Sequence, residues 1–267
     1  MTVNRKVFLR KRYNIQFPSV ELSNLEQDEV YFYLQNGNDT QEKIRFHDYD
    51  TIYNHSGLYE QVFYDRLKCN SPQKVTEILY TTLSQAKENF TELRVLDLGA
   101  GNGMMGETLA KYGISRLVGV DIIDEAALAA ERDRPGLYDA YYVKDLCSLC
   151  KNDEVEINSW SFNCLTSVAA LGFGDIPPDA FTTAFNLIQS DGWIAFNIKE
   201  TFLQSSDDSG FSKLIRELIF SKYLELSHLE RYRHRLSMEG KPLYYYAIVA
   251  KKMHDIPREF LLDIGIG

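Results

Sequence analysis

The sequence predicts an α/β fold in which helices cover both faces of a mostly parallel sheet whose last strand runs antiparallel. Two observations support this prediction. Beyond residue 93, five short apolar runs alternate with helix-like segments, which is the pattern of successive βα units. Two longer β-type runs follow at residues 223–235 and 242–252, and the Gly-containing link between them is too short for a parallel crossover. Five parallel strands and an antiparallel pair predict seven strands in one sheet.

The chain is expected to divide into three parts: an N-terminal cap over residues 1–70, a main domain over residues 71–252, and a C-terminal tail over residues 253–267. In the cap, β-like runs at 30–34 and 43–46 flank a segment containing Asn36-Gly37, which predicts a short hairpin. A helix is predicted next, and it carries five side chains with polar ends: Tyr53, His55, Tyr59, Tyr64 and Asp65.

The main domain begins its regular pattern at residue 94. The five apolar runs are residues 94–98, 116–122, 140–146, 161–168 and 192–199. A helix is predicted between the fourth and fifth runs, because Pro177-Pro178 is a typical start and Asp191-Gly192 a typical stop. A further helix is predicted over residues 211–220, before the last two strands.

Composition excludes several classes of protein. The 38 acidic and 29 basic residues give a net charge of -9. This charge disfavours binding of nucleic acid over the whole protein surface. No apolar stretch has membrane-spanning length, and no signal-peptide core is visible, so we expect a cytoplasmic protein without a membrane partner. Cys147 and Cys150 have C-x-x-C spacing but lack two further ligands, so no metal site is expected.

A glycine-rich loop follows the first apolar run and precedes a helical stretch. Glycine permits positive φ and close approach of a ligand, and the helix N-terminus offers unpaired amides, so this pattern predicts a nucleotide-cofactor site. Gly101, Gly103 and Gly106 spell G-x-G-x-x-G, and Asp121 ends the next apolar run, as in a dinucleotide-binding fold. A nicotinamide-dependent oxidoreductase is therefore one interpretation.

Read from Asp97, the same loop spells D-x-G-x-G-x-G and resembles motif I of class I S-adenosylmethionine-dependent methyltransferases, whose fold is Rossmann-like. We prefer this interpretation because a carboxylate beside a diphosphate would repel it, and because the reversed final strand matches this family. The resemblance covers residues 71–252 and implies S-adenosyl-L-methionine as the cofactor.

The resemblance also implies roles for individual residues. Asp97 and the glycines would hold the methionine part, Asp121 would accept from both ribose hydroxyls, and Asp145 would accept from the adenine amino group beside Leu146. The full set of expected cofactor residues is Asp97, Gly99, Ala100, Gly101, Asn102, Gly103, Asp121, Ile122, Asp145, Leu146, Cys164 and Tyr64.

Methyl transfer requires alignment of the acceptor and, for a protonated acceptor, a base. Four candidates have side chains suited to proton removal, although the sequence identifies none of them as the base: His47, His55, Glu200 and His234.

A substrate pocket is expected at the carboxyl edge of the sheet. The candidate substrate residues are Tyr53, Tyr59, Phe173, Arg233, Arg235 and Tyr244. Strict alternation would place Arg231, Arg233 and Arg235 on one face of a strand, where they would either bind an anionic substrate or form a solvated surface. A Tyr packing stripe in the cap is an equally ordinary alternative to a substrate role.

These features predict a methyltransferase that acts on a small-molecule acceptor through an N, O, S or C nucleophile, with an anionic substrate favoured by the arginines. The alternatives are a protein or RNA methyltransferase and a non-catalytic S-adenosylmethionine-binding module. The fold does not identify the acceptor, because one sheet serves many substrates.

Overall fold

The computed structural model describes residues 11–18, 29–36, 40–172, 175–203 and 210–266. Its main sheet has seven strands in the order β6-β5-β4-β7-β8-β10-β9. The strands are β4 (Arg94–Leu98), β5 (Arg116–Asp121), β6 (Ala140–Val143), β7 (Cys164–Ser167), β8 (Trp193–Lys199), β9 (Leu224–Leu236) and β10 (Pro242–Lys252). The first five are parallel and β10 is antiparallel to both neighbours, so the predicted fold class is confirmed.

Helices lie on both faces of this sheet. They are α2 (Ser71–Gln85), α3 (Met104–Ala110), α4 (Asp124–Asp133), α5 (Lys151–Asn158), α6 (Pro178–Asn186) and α7 (Phe211–Phe220), and a short α8 (Phe260–Asp263) follows the sheet. Successive residues of β8 enter opposite cores: Ile194 packs in the core with α6 and α7, whereas Ala195 packs in the core with α2. This alternation explains why the parallel strands read as continuous apolar runs.

The N-terminal residues form a separate small unit with its own core. Strands β1 (Asn14–Gln16), β2 (Tyr31–Asn36) and β3 (Thr40–Arg45) form an antiparallel sheet, and α1 (Tyr49–Asn54) and a π-helical turn (Glu60–Arg66) follow. The predicted hairpin is therefore present, although its tip at residues 37–39 lies outside the described part of the chain. The predicted single helix is broken near Gly57, which has φ +74°.

Two predicted strands are shorter than expected. The third ends at Val143 rather than 146, so Asp145 lies in a turn. The fourth begins at Cys164 rather than 161, because Ser161 adopts φ +52° and the Asn163 side chain accepts from the backbone N–H of Arg94. Both differences arise at strand ends, where apolar periodicity carries little information.

The arginine alternation expected in β9 does not hold along its length. The pairing with β10 shifts register between Leu243 and Tyr244, which leaves His234 unpaired as the extra residue of a bulge in β9. Arg231 and Arg233 are exposed, whereas Arg235 is only 5% exposed. The predicted cluster of three guanidinium groups on one face is wrong, because the bulge turns Arg235 into the protein.

Among the residues that the structure describes, no helix is long and apolar enough to cross a membrane. The same part of the chain contains no group of three or more His, Cys, Asp or Glu side chains placed to hold a metal ion.

Candidate functional site

A cavity of about 260 Å³ lies at the carboxyl ends of the parallel strands. Segments after β4, β5, β6 and β7 form its floor and sides, and tyrosines of the cap cover it. This is the position that the topology of open α/β sheets favours for a ligand, because the loops after the strands converge there.

The glycine loop after β4 lines this cavity and has left-handed backbone at three positions. Gly99, Gly101 and Gly103 have φ of +68°, +53° and +90°. A Cβ atom at Gly101 would lie 2.5 Å from the hydroxyl oxygen of Tyr53, so this position excludes larger residues by both conformation and space. Gly103 does not line the cavity and instead precedes α3 as its N-cap residue.

Asp97 lies beneath the loop. Its carboxylate accepts from the hydroxyls of Thr166 at 2.7 Å and Tyr138 at 2.9 Å, and the residue is 1% exposed. It does not line the cavity, so its expected contact to the methionine part of the cofactor stays a prediction. Burial raises the pKa of Asp97 to about 6, although the two hydroxyls partly oppose this change.

Asp97→Asn is expected to gain stability relative to the wild type as pH rises from about 4 to about 6. The unfolded carboxyl loses its proton near 3.8 and the folded one near 6, so between these values ionisation favours the unfolded chain. The free energy of unfolding of the wild type should therefore fall by up to about 3 kcal/mol as pH rises through this range, whereas Asp97→Asn should lack this fall. Urea unfolding of both proteins across this pH range tests this prediction. A difference in their free energies of unfolding that does not change with pH would count against it.

Asp121 and Ile122 form the next part of the wall, at the end of β5. The Asp121 oxygens accept from the backbone N–H groups of Gly101 at 2.8 Å and Ile123 at 3.1 Å. Each carboxylate oxygen retains capacity for a further hydrogen bond, as a ribose would require. Ile122 is 62% exposed although it lines the cavity, which suits an apolar ring laid against it.

The turn after β6 contributes Asp145 and Leu146 to the same cavity. The Asp145 carboxylate accepts from the Cys147 N–H and the Ser148 hydroxyl, and these bonds lower its pKa. Leu146 is buried beside it. The structure thus brings the three regions predicted from the resemblance, after β4, β5 and β6, to one cavity.

Four tyrosines of the cap cover the cavity: Tyr49, Tyr53, Tyr59 and Tyr64. The Tyr49 and Tyr53 rings stack with centroids 5.9 Å apart, and Tyr53 packs against Ala126 and Ala129 of α4. Burial raises the pKa of each phenol, so all four are neutral donors at physiological pH. The packing-stripe alternative also holds in part, because Tyr59 contacts Phe63 at a centroid distance of 4.7 Å.

A smaller cavity of about 40 Å³, here called the side pocket, adjoins the first. The two cavities share walls formed by His47, Tyr49, Tyr59, Ala169, Ala170 and Asp175. The far wall of the side pocket is formed by Cys69, His234, Arg235 and Tyr245, together with apolar groups of the cap.

At the junction, His47 and Asp175 form a pair that brings the cap to the loop after β7. The Nδ1 atom of His47 lies 3.0 Å from an oxygen of Asp175, and both side chains are less than one-third exposed. His47 was among the predicted base candidates, whereas Asp175 was missed. The sequence signal for Asp175 is its place in the loop after the fourth apolar run, and that place alone does not distinguish it from its neighbours.

The other base candidates lie in different surroundings. His55 packs edge-on against Tyr13 and lines neither cavity. Glu200 also lies outside both and accepts from Arg231 at 2.7 Å. His234 reaches the side pocket, where burial and the adjacent Arg235 hold its pKa well below the ordinary value.

Several predicted binding residues are not brought to the cavities. Cys164 is fully buried in the core around α2. Arg233 is exposed, and Tyr244 lies under the guanidinium of Arg231 at 3.7 Å. Phe173 lies outside the described residues, so its predicted role stays a prediction.

An ion pair that the sequence does not predict fastens the cap to the glycine loop. Arg134, at the end of α4, contacts Glu60 of the cap and Glu107 of α3, each at 2.8 Å. Its Nη1 donates to the backbone oxygen of Asn102 at 2.9 Å. Sequence spacing could not reveal this contact, because Glu60 and Arg134 are 74 residues apart.

Comparison with known proteins gives one family. Residues 96–196 match the model of a family described as a methyltransferase domain. This span begins in β4 and ends in β8, and it contains the glycine loop, Asp121 at the end of β5 and the turn after β6 that carries Asp145. No protein with a curated description matches the chain.

Solved structures with a similar arrangement include three methyltransferases. The magnesium protoporphyrin IX methyltransferase of Synechocystis PCC 6803, solved with bound SAM, is 14% identical, with 68% of this chain and 79% of that chain covered and a TM-score of 0.48. The ribosomal protein L11 methylase of Lactobacillus delbrueckii subsp. bulgaricus is 17% identical, with 68% and 79% covered and a TM-score of 0.45. A SAM-dependent methyltransferase of Methanosarcina mazei is 18% identical, with 66% and 97% covered and a TM-score of 0.47.

Proposed function

We propose that the chain is an S-adenosylmethionine-dependent methyltransferase and that it methylates a small-molecule acceptor bound in the side pocket; the match of residues 96–196 to a methyltransferase-domain family supports the first part. The observation that carries this proposal is the pocket itself, which is small, adjoins the cofactor-sized cavity, and is covered by the cap. A protein or RNA acceptor would need a broad accessory surface, and the net charge of -9 disfavours RNA.

The residues around the larger cavity suit this cofactor. The glycine loop offers backbone approach, Asp121 offers acceptors for ribose hydroxyls, and Ile122 with Leu146 offers apolar contacts for an adenine. Asp145 lines the same cavity and offers an acceptor for an adenine amino group. When bound, the sulfonium of the cofactor supplies an activated methyl group.

The cap then positions the acceptor and excludes water. The four tyrosines cover the cavity and supply neutral hydroxyl donors, and proximity alone provides a large part of the rate in such transfers. Alignment of the acceptor and removal of its proton are the work left to the protein.

His47 is our proposed base. It lies at the junction of the two cavities, and Asp175 holds its Nδ1, as a carboxylate does in other histidine bases. A bound S-adenosylmethionine would supply the methyl group to the acceptor atom and would keep the electrons of the broken carbon–sulfur bond on its sulfur. The acceptor proton passes to the imidazole of His47.

Calorimetric titration with S-adenosylmethionine, S-adenosylhomocysteine and NADH tests the cofactor assignment. We expect binding of the two sulfur compounds and none of NADH. Asp121→Ala should weaken their binding by about 1–3 kcal/mol, because ribose hydroxyls and the Gly101 N–H lose their acceptor. Asp124→Ala, an exposed change three residues away, is the matched control and should bind normally. Selective binding of NADH would refute the assignment.

The acceptor class is tested with radiolabelled S-adenosylmethionine and a cell extract divided into dialysable and macromolecular fractions. We expect label to enter the dialysable fraction. Label in protein or RNA alone would contradict a small-molecule acceptor, and cofactor binding without any transfer would indicate a non-catalytic binding module.

A further inference from the structure

Arg235 is the least expected group in the side pocket. It is 5% exposed, and the bulge in β9 directs it inward instead of toward solvent with Arg231 and Arg233. Burial of a guanidinium is costly unless a negative group accompanies it. A buried arginine in a cavity that adjoins a cofactor site therefore needs an explanation.

The described residues give Arg235 little compensation. Its Nη1 donates to the backbone oxygen of Leu236 at 3.0 Å, and its guanidinium lies 5.4 Å from the Phe46 ring centroid. Within the described part of the chain, no carboxylate lies within ion-pair distance of it. Asp175 lines the same pocket but is paired with His47. A guanidinium has five N–H donors, so most of its capacity is left for a ligand.

A chain of hydrogen bonds fixes the neighbouring His234. The backbone N–H of Ala169 donates to Oδ1 of Asn197 at 2.7 Å, which leaves the Asn197 amide nitrogen to donate to the Tyr232 hydroxyl at 2.7 Å. In the arrangement that gives every proton of this chain an acceptor, the Tyr232 hydroxyl donates to Ser71 and the Ser71 hydroxyl donates to Nδ1 of His234, over two contacts of 2.6 Å.

The direction of this chain determines the tautomer of His234. A ring that accepts at Nδ1 and is neutral carries its proton on Nε2. The low pKa of the ring, caused by burial and by Arg235, keeps it in that neutral state. His234 is therefore a hydrogen-bond donor through Nε2, and it lines the side pocket beside the guanidinium.

We propose that the side pocket is a carboxylate-binding site, in which Arg235 supplies the charge and His234 a second donor, so that the acceptor is a small molecule bearing a carboxylate. This inference rests on the proposed function for the identity of the bound molecule as the acceptor. The carboxylate is the anchor and a second group of the acceptor receives the methyl group, because pairing with a guanidinium makes an anion a weaker nucleophile.

One formal charge in a pocket of about 40 Å³ favours a carboxylate over a phosphate. Arg235 can bind a planar carboxylate through two parallel N–H groups, and one neutral imidazole adds no second charge. The walls around these groups are aromatic: Phe46, Tyr59, Phe63 and Tyr245. They exclude water and strengthen the electrostatic attraction.

The test uses acetate, acetamide and inorganic phosphate as probes with the whole protein, with and without S-adenosylhomocysteine. We expect acetate to raise the unfolding temperature more than acetamide or phosphate. Arg235→Met should weaken acetate binding by about 10- to 100-fold, whereas Arg233→Met, two residues away and exposed, should bind acetate as the wild type does.

Two results would overturn the carboxylate site: equal acetate binding by Arg235→Met, or tighter binding of phosphate than of acetate. Arg235→Lys provides a folded comparison that retains the charge, and it should bind acetate better than Arg235→Met. Histidine nitrogen spectra give a readout without mutation, and a proton on Nδ1 of His234 would refute its donor role. Failure to bind S-adenosylhomocysteine would instead refute the cofactor assignment. The two failures can be distinguished, because acetate is also titrated in the absence of S-adenosylhomocysteine.

Discussion

Replacing Arg134 with Met is expected to lower the free energy of unfolding by about 3–5 kcal/mol. The side chains of Arg134 and Glu60 are 7% and 4% exposed, and Oε2 of Glu60 already has no partner in the described structure. Without the guanidinium, a buried carboxylate loses the ion pair that it forms at 2.8 Å. Urea unfolding of the wild type and the variant measures the loss.

The double variant Glu60→Leu with Arg134→Met separates stability from cofactor binding. Removing both charges should restore most of the stability, because an apolar pair can replace a buried ion pair. It should not restore affinity for S-adenosylhomocysteine fully, because Arg134 also donates to the Asn102 oxygen in the glycine loop. A double variant as unstable as Arg134→Met would show that the ion pair is not the source of the loss.

Much of the sheet could be predicted because its signals are local. The apolar runs reflect burial of each strand on both faces, and the short link between β9 and β10 permits only antiparallel pairing. The sequence signal for the glycine loop is also local, because the left-handed backbone at Gly99 and Gly101 favours glycine. The role of Asp97 was harder, because the motif does not show whether its carboxylate faces the ligand or Thr166 beneath it.

The side pocket could not be predicted for a different physical reason. Its groups come from the cap, the loop after β7 and the end of β9, and His47 meets Asp175 across 128 residues. A bulge decides the direction of Arg235, and one extra residue in a strand reverses the face of every side chain beyond it. Alternation in the sequence places Arg235 with Arg233, whereas the bulge separates them.

Replacing His47 with Gln is expected to slow methyl transfer by about 10²- to 10⁴-fold, while binding of S-adenosylhomocysteine remains near that of the wild type. Glutamine retains a polar side chain of similar length but does not accept a proton. Asp175→Asn should slow transfer less, because its amide oxygen can still accept from the imidazole although the negative charge is gone. Transfer of label to the dialysable fraction measures both rates.

Two comparisons distinguish a base from a residue that only positions the acceptor. His55→Gln is the matched control, because His55 lies in the same cap but lines neither cavity, and its rate should be unchanged. Imidazole added to His47→Ala should recover part of the lost rate, since a free base can occupy the space and take the proton. A wild-type rate in His47→Gln would exclude His47 as the base. Alignment of the acceptor would then account for the transfer, as expected for an acceptor that is already deprotonated.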